Sequence, residues 1–273
     1  MKKENLPDPA VSRQIAFRLI DSGAGSAAFN MALDEAIAVS VRTGAQKPAV
    51  RFYGWERPAL SLGRFQKNSG FHADFIRESG LNVVVRPTGG RAVLHLPSEF
   101  TYSVCSRFEG VFGGKNLFEC YRVIGYAISR ALVRLGADVE MGRERRNGGV
   151  TGKSAHCFQS VSYAEITSGG RKLVGSAQRR WPDGFLQQGS IPFEIDAALE
   201  EKVFKGFDPT TMAGVSEIVP GAAEQKEKQE TLKRYLTEEF GAVLGAAFLQ
   251  ARPAPRELAL ARDLLPAYGP SCF

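Results

Sequence analysis

Between Val50 and Cys105 the sequence strings together five short β-type runs: Val50 to Tyr53, Ala59 to Leu62, Asn82 to Val85, Ala92 to Leu94 and Phe100 to Cys105. Pro, Gly and Asn part them, and no gap holds a helix long enough for regular parallel crossovers. Such a chain folds around a mixed, largely antiparallel sheet. Ahead of this block, Ile15 to Ile20 reads as a strand. Ser26 then caps a helix whose Phe29, Leu33, Ala36, Ile37 and Ser40 recur at helical spacing. The clearest helix runs from Asn116 to Leu135, with Leu117, Tyr121, Ile124, Ile128, Leu132 and Leu135 on one face and Gly136 as its stop. It is expected to pack across the sheet. Further β-like runs follow at Tyr163 to Thr167, Lys172 to Gln178 and Phe185 to Ile191, the first two joined by the turn Ser168-Gly169-Gly170-Arg171. Residues 14–200 therefore read as one α+β unit of sheet flanked by helices. In 201–273, charged helical stretches at Ala223 to Phe240 and Arg256 to Leu264 flank the apolar GAVLGAAFLQ, which suggests a small helical C-terminal extension.

At 273 residues and 44% hydrophobic the chain builds a core without disulfide staples. No run of eighteen uncharged apolar residues occurs, and the start, MKKENLPDPAVSRQ, meets Pro and charge at once; a cytoplasmic protein with no membrane association is expected. Cys105, Cys120, Cys157 and Cys272 fit neither a zinc pattern nor a disulfide framework, so free thiols and no metal are expected. Charge is uneven. Over residues 142 to 181, Arg143, Arg145, Arg146, Lys153, Arg171, Lys172, Arg179 and Arg180 face only Glu144 and Glu165. No helix-turn-helix, finger or aromatic RNA-binding signature accompanies this cluster, which argues against nucleic acid. An acidic protein, a phosphorylated ligand and a solvated face all fit it.

Three segments carry chemistry. In Arg86-Pro-Thr-Gly-Gly-Arg-Ala-Val-Leu-His95, Gly89 and Gly90 let backbone approach a ligand while Arg86 and Arg91 flank them with positive charge. A plain hairpin turn has the same composition, and His95 suits a base or a hydrogen-bonded structural residue. In Gly148 to Ser160, Cys157 lies among small and polar residues, whereas Cys105 and Cys120 sit where packing thiols belong. A thiol needs a nearby cation or base to become a nucleophile, and the basic cluster offers one. In Gly169-Gly-Arg-Lys172-Leu-Val-Gly-Ser176-Ala-Gln178, Lys172 opens an apolar strand, where burial suits it to proton transfer or carbonyl polarisation; a solvated strand-end lysine is the plainer alternative.

Taken in order, RPTGGRAVLH, the Asn147-to-Ser160 segment and GGRKLVGSAQ resemble the lipoate-protein ligase and octanoyltransferase superfamily over residues 15 to 200. The resemblance implies a fold like the biotin- and lipoate-protein ligase catalytic domain, itself similar to class II aminoacyl-tRNA synthetases. It also implies that the glycine loop covers an acyl chain and that Lys172 contacts the acyl carbonyl. Arg86, Gly89, Gly90, Arg91 and Ser176 are then candidate substrate contacts.

Within the superfamily, the LipM-type octanoyltransferases are similar in carrying Cys 15 residues ahead of the motif lysine, the separation of Cys157 and Lys172. Typical ligase loops read RRxSGGGAVYHD, whereas this chain has Pro87, Arg91 and Leu96 at three of those places. The resemblance thus implies octanoyl transfer from octanoyl-acyl carrier protein to a lysine of a lipoyl-domain protein, such as the glycine-cleavage H protein. Cys157 would be the nucleophile and Lys172 its proton partner, with no cofactor. Both partners are acidic in that family, which would give the basic segment a purpose. Two alternatives stand beside this reading: an ATP-dependent lipoate-protein ligase acting through lipoyl-adenylate, and a noncatalytic acyl-protein binding partner.

Overall fold

The computed structural model describes residues 15–66, 70–142, 165–221 and 223–269; Cys157, Cys272, Arg143, Arg145, Arg146 and Lys153 lie outside them. Ser26 starts the first helix as expected, its hydroxyl accepting the Phe29 N–H at 3.3 Å. The first strand, β1 (Ile15–Gly25), leads into this helix, α1 (Ala27–Arg42), and on through β2 (Ala49–Trp55) and β3 (Ala59–Leu62). Next come α2 (Ala73–Glu78), β4 (Asn82–Val85), β5 (Val93–His95), β6 (Phe100–Arg107), α3 (Leu117–Leu135) and β7 (Glu140–Met141). A hairpin of β8 (Ile166–Ser168) and β9 (Arg171–Trp181) continues into β10 (Gly184–Ile191), α4 (Ala197–Val203) and α5 (Val215–Ile218). The chain closes with α6 (Gln225–Leu244), β11 (Ala246–Ala251) and α7 (Pro255–Leu264).

Eight strands form the main sheet in the order β11-β1-β2-β6-β10-β9-β8-β7, and β4-β3-β5 form a small second sheet. Of the seven neighbouring pairs in the main sheet, five are antiparallel and only β1 with β2 and β1 with β11 are parallel. The mixed, largely antiparallel α+β architecture read from the sequence is the one observed. Alternate residues serve the two faces of the sheet. Phe52, Tyr102, Val104 and Phe185 join the core under α3 and α6, while Tyr53, Cys105 and Leu186 join the core under α1. The small sheet packs with α2 and α4 around Leu60, Ile76 and Val203.

Helix α3 shows why its ends were legible. Asn116 accepts from the Glu119 N–H while Glu119 reaches back to the Asn116 N–H, and Gly136 stops the helix in the left-handed region. The segment after residue 200 carries the two charged helices expected of it and also β11, which the apolar GAVLGAAFLQ did not reveal. Gly245, at φ +57°, ends α6 in the middle of that run and turns its second half into the edge strand. The segment packs into the same cores: Leu232, Leu236 and Phe240 lie under α3, and Ala261 lies against α1. Arg18 of β1 donates two hydrogen bonds, 2.7 and 2.9 Å, to the buried Glu257 carboxylate of α7. No described helix is long and apolar enough to cross a membrane.

Candidate active site

The glycine loop sits where strands of the two sheets meet, and one guanidinium holds it. Arg86, 5% exposed, donates to the carbonyls of Gly89 (2.6 and 3.1 Å), Arg91 (2.7 Å) and Ser61 (3.0 Å), and to the Ser61 hydroxyl at 3.2 Å. Gly90 takes φ +86°, a conformation that L side chains rarely adopt. The loop also has a seat on β3's exit: a Cβ on Gly63 would stand 1.9 Å from the Gly90 carbonyl oxygen. Only glycine fits there. On its other side the loop leans on β9, with Ala177 Cβ 3.5 Å from where a Gly90 Cβ would be. Thr88 ties it to β10 through the Gln188 side chain at 2.8 Å.

Beside the loop lies a small, partly open cleft. Met31, Tyr53, Trp55 and Val93 give it apolar surface; Gly175, Ser176 and Ala177 of β9 form the opposite wall; Arg86 and His95 reach it from the loop side. The small residues of the β9 wall leave room for a narrow, flexible apolar ligand.

Lys172 is placed on β9 by a defect in the sheet, ahead of the residues of that strand that line the cleft. Ile166 pairs with Val174 but Thr167 with Lys172, so Leu173 is an extra residue in β9. Such a bulge sets two successive side chains on one face and re-aims the next. Leu173 and Val174 both join the core under α3, and Lys172 returns to the parity of Gly175 and Ala177, which line the cleft. At 1% exposure its ammonium donates to the buried Glu165 carboxylate. Glu165 escaped notice in the sequence because it stood there only as a charge; the hairpin register, which brings residue 165 back beside 172, was the available signal.

The other expected site residues divide. Arg86 and Ser176 line the cleft, the Ser176 hydroxyl bonding the Tyr102 hydroxyl at 2.8 Å, while Gly89 and Gly90 lie in the adjoining loop held by Arg86. Arg91 is half-buried and offers its carbonyl to Arg86. Cys157 lies outside the described residues. Cys105 and Cys120 are buried packing thiols, and burial pushes both above the ordinary thiol range.

The described part of the basic segment, from Glu165 to Trp181, is tied into the protein. Each of its four described cations is engaged within the protein: Arg171 with Glu217, Lys172 with Glu165, Arg179 with Glu35, and Arg180 with the Lys115 carbonyl and the Phe108 ring. For two of the four the partner is a carboxylate distant in sequence, Glu217 or Glu35, which a local charge count could not register. Among the described residues no three His, Cys, Asp or Glu side chains gather as a metal site requires.

Beneath the cleft is a polar layer that the sequence did not announce. Asp34 of α1 accepts from Arg51 (2.8 Å), Ser103 (2.7 Å), Tyr53 (3.0 Å) and Gln188 (2.7 Å), all buried. Burial and the Asp34 carboxylate raise the Tyr53 hydroxyl well above its usual range, so it stays a donor. A second chain runs from Glu99 through His95 to Ser61.

Residues 26–241 match the model of the lipoyl protein ligase A/B catalytic domain. The chain belongs to this family. Curated relatives named octanoyltransferase LipM include that of Kyrpidia tusciae, 44% identical over 187 residues that span 66% of this chain and 67% of that one. That of Exiguobacterium is 37% identical over 224 residues, 80% of this chain and 75% of the relative. Among solved structures, lipoate-protein ligase A bound with ATP superposes with TM-score 0.76 at 23% identity over 93% and 94% of the two chains. The bi-partite lipoate protein ligase of Thermoplasma acidophilum superposes with TM-score 0.73 at 20% identity, over 92% of each. These two likenesses establish the fold. The family match continues past residue 200 through most of α6 and ends before β11.

Proposed function

We propose that this protein is an octanoyltransferase of protein lipoylation, which moves an octanoyl group from octanoyl-acyl carrier protein to a lysine of a lipoyl-domain protein through an acyl-enzyme on Cys157. The observation that carries this reading is the buried Lys172–Glu165 pair at the start of β9, the strand whose Gly175, Ser176 and Ala177 line the cleft beside the glycine loop, in a chain 37–44% identical to enzymes named octanoyltransferase LipM. The cleft takes the acyl chain; Lys172 supplies charge where the thioester carbonyl lies.

In the first transfer the Cys157 thiol passes its proton to the Lys172–Glu165 pair, and the thiolate adds to the thioester carbonyl. The carrier sulfur leaves with that proton, and an acyl-Cys157 thioester remains. In the second transfer the acceptor lysine's neutral amine attacks this thioester and its surplus proton goes to the same pair. An amide forms, and the Cys157 sulfur departs and is reprotonated. A cation fixed in a water-poor cleft stabilises the oxyanion of each step without reorganising.

Intact-mass spectrometry after incubation with octanoyl-acyl carrier protein tests the proposal. An adduct of about 126 Da, octanoyl for hydrogen on a nucleophile, is expected in the wild type and absent in Cys157→Ala. Lys172→Ala and Lys172→Arg are expected to lose roughly 10²–10⁴-fold in turnover, the usual worth of positioned proton transfer. Turnover by Cys157→Ala overturns the acyl-enzyme on Cys157, and acyl transfer only with free lipoate and ATP overturns the reading in favour of a ligase.

A further inference from the structure

We infer that Glu99, His95 and Ser61 form a positioning relay that sets the Arg86 guanidinium, and through it the closure of the glycine loop over the acyl chain. This rests on the acyl-transfer reading above and adds residues to which nothing so far gives a role.

The three side chains form one line of short hydrogen bonds. His95 Nδ1 is 2.8 Å from Glu99 Oε1, and its Nε2 is 2.7 Å from Ser61 Oγ. Ser61 Oγ in turn accepts from Arg86 NH1 at 3.2 Å. None of Ser61, His95, Glu99 and Arg86 exceeds 7% exposure, so water competes for none of these bonds. The imidazole is fixed in orientation as well as position. The Trp55 ring stacks on it at 3.9 Å and 14°, and Trp55 Nε1 donates to Thr101, which donates to the same Glu99 oxygen. Glu99 therefore holds both the ring and the plate that covers it.

A serine, histidine and carboxylate at these distances resemble a nucleophile and its base. The fourth partner argues for another role. Arg86 NH1 points at the Ser61 oxygen, while the rest of the same guanidinium clasps the carbonyls on both sides of Gly90. A guanidinium is planar and presents its donors in one rigid fork, so fixing one edge aims the other. Ser61 and its own carbonyl fix one edge; the loop is on the other. The loop leans on Ala177 of the cleft wall and is held by Arg86, which lines the cleft, so in the acyl-transfer reading its closure sets how tightly the acyl chain is held, whatever carries the thioester.

The experiment compares Ser61→Ala, His95→Gln, Glu99→Ala and Glu99→Gln with wild type, using octanoyl-pantetheine as a small donor and octanoyl-acyl carrier protein as the full one. Ser61→Ala and His95→Gln are expected to raise KM for both donors about tenfold or more with kcat held within about threefold, because the acyl chain is less well covered while the reacting groups are intact. Amide hydrogen exchange over residues 87–92 should speed up in the same variants, with the exchange of α3 unchanged. Glu99→Gln keeps an acceptor for His95 and Thr101 and should restore most of what Glu99→Ala loses. Ser61→Ala removes a single oxygen and serves if the buried His95 and Glu99 variants fail to fold. Unchanged KM with unchanged loop exchange in Ser61→Ala overturns the relay. Loss of kcat with KM unchanged also overturns it, since that makes Ser61 a reacting group. A wild type that turns over neither donor defeats the acyl-transfer reading itself; its loop exchange still measures the relay.

Discussion

The two faces of the central sheet are made by the same strands and stabilised in different ways. On β6, Phe100, Tyr102 and Val104 turn toward α3 and α6, while Thr101 and Ser103 turn toward α1 and the cleft. On β2 the pairing is Val50 and Phe52 against Arg51 and Tyr53. One face is specified by volume: apolar side chains interdigitate, and many mutually adjusted substitutions keep such a core. The other is specified by bonds, because each buried polar atom needs its own partner at its own angle. The α3 face supports the molecule, and the cleft face keeps Arg86, Gln188 and the loop in register with Lys172.

Breaking the polar face at its hub has the largest expected effect. Asp34→Ala leaves Arg51 buried without its carboxylate and strips Ser103, Tyr53 and Gln188 of their acceptor, for a loss of about 3–5 kcal/mol by chemical denaturation. Because Gln188 also holds Thr88, residual activity per folded molecule should drop as well. A variant that loses stability but retains full specific activity would break the comparison.

The apolar face comes next. Leu236→Ala, on α6 and fully buried against α3, should cost about 3 kcal/mol through lost transfer energy and the cavity left behind. Here kcat and KM of the folded fraction are expected to stay within about twofold, as Leu236 belongs to the α3 core and not to the cleft lining. A large KM change would show that the two faces are mechanically coupled.

The smallest effect sharpens the contrast at the rim of the apolar face. The hydrogen bond from Arg130, assisted by Arg134, holds the Glu239 carboxyl below the ordinary carboxylate range. A carboxyl depressed in the folded state adds stability above its unfolded pKa of about 4.3 and loses it as pH falls through and below that value. Wild type should therefore melt above Glu239→Gln at pH 7, with the gap narrowing as pH falls below the ordinary carboxylate range. Activity near neutrality should not distinguish the two proteins.

The same contrast explains what the sequence disclosed. The apolar face writes itself as periodicity: Ile124, Ile128 and Leu132 recur on α3, and the cap residues Asn116 and Gly136 bracket them. The hairpin turn at Ser168 to Arg171 was equally plain, since Gly169 and Gly170 both take positive φ. Polar partnerships leave no such trace. Ser61 sits in the run ALSL, 34 residues from His95, and reads as ordinary strand alternation. Asp34 was hidden inside a helix pattern and Glu165 inside a charge count. Gly63 gave no signal either, because its need for a bare backbone arises only when Gly90 is folded back upon it. Strand β11 was missed for a local reason: the apolar residues on both sides of Gly245 merge into one run.

Strand β1 lies beside β11, its Ile15 aligned with Ala246, so the first and last strands of the sheet are neighbours. During synthesis β1 emerges well before β11, and its outer edge stays unmatched until Ala246 to Ala251 have left the ribosome. At an elongation rate of about 5–20 residues per second that wait lasts on the order of ten seconds or more. Throughout it, Arg18 lacks Glu257 and β1 presents a bare row of backbone groups to any passing strand. A message truncated before Ala246 would make this exposure permanent, turning the closing seam of the sheet into a site for association between unfinished chains.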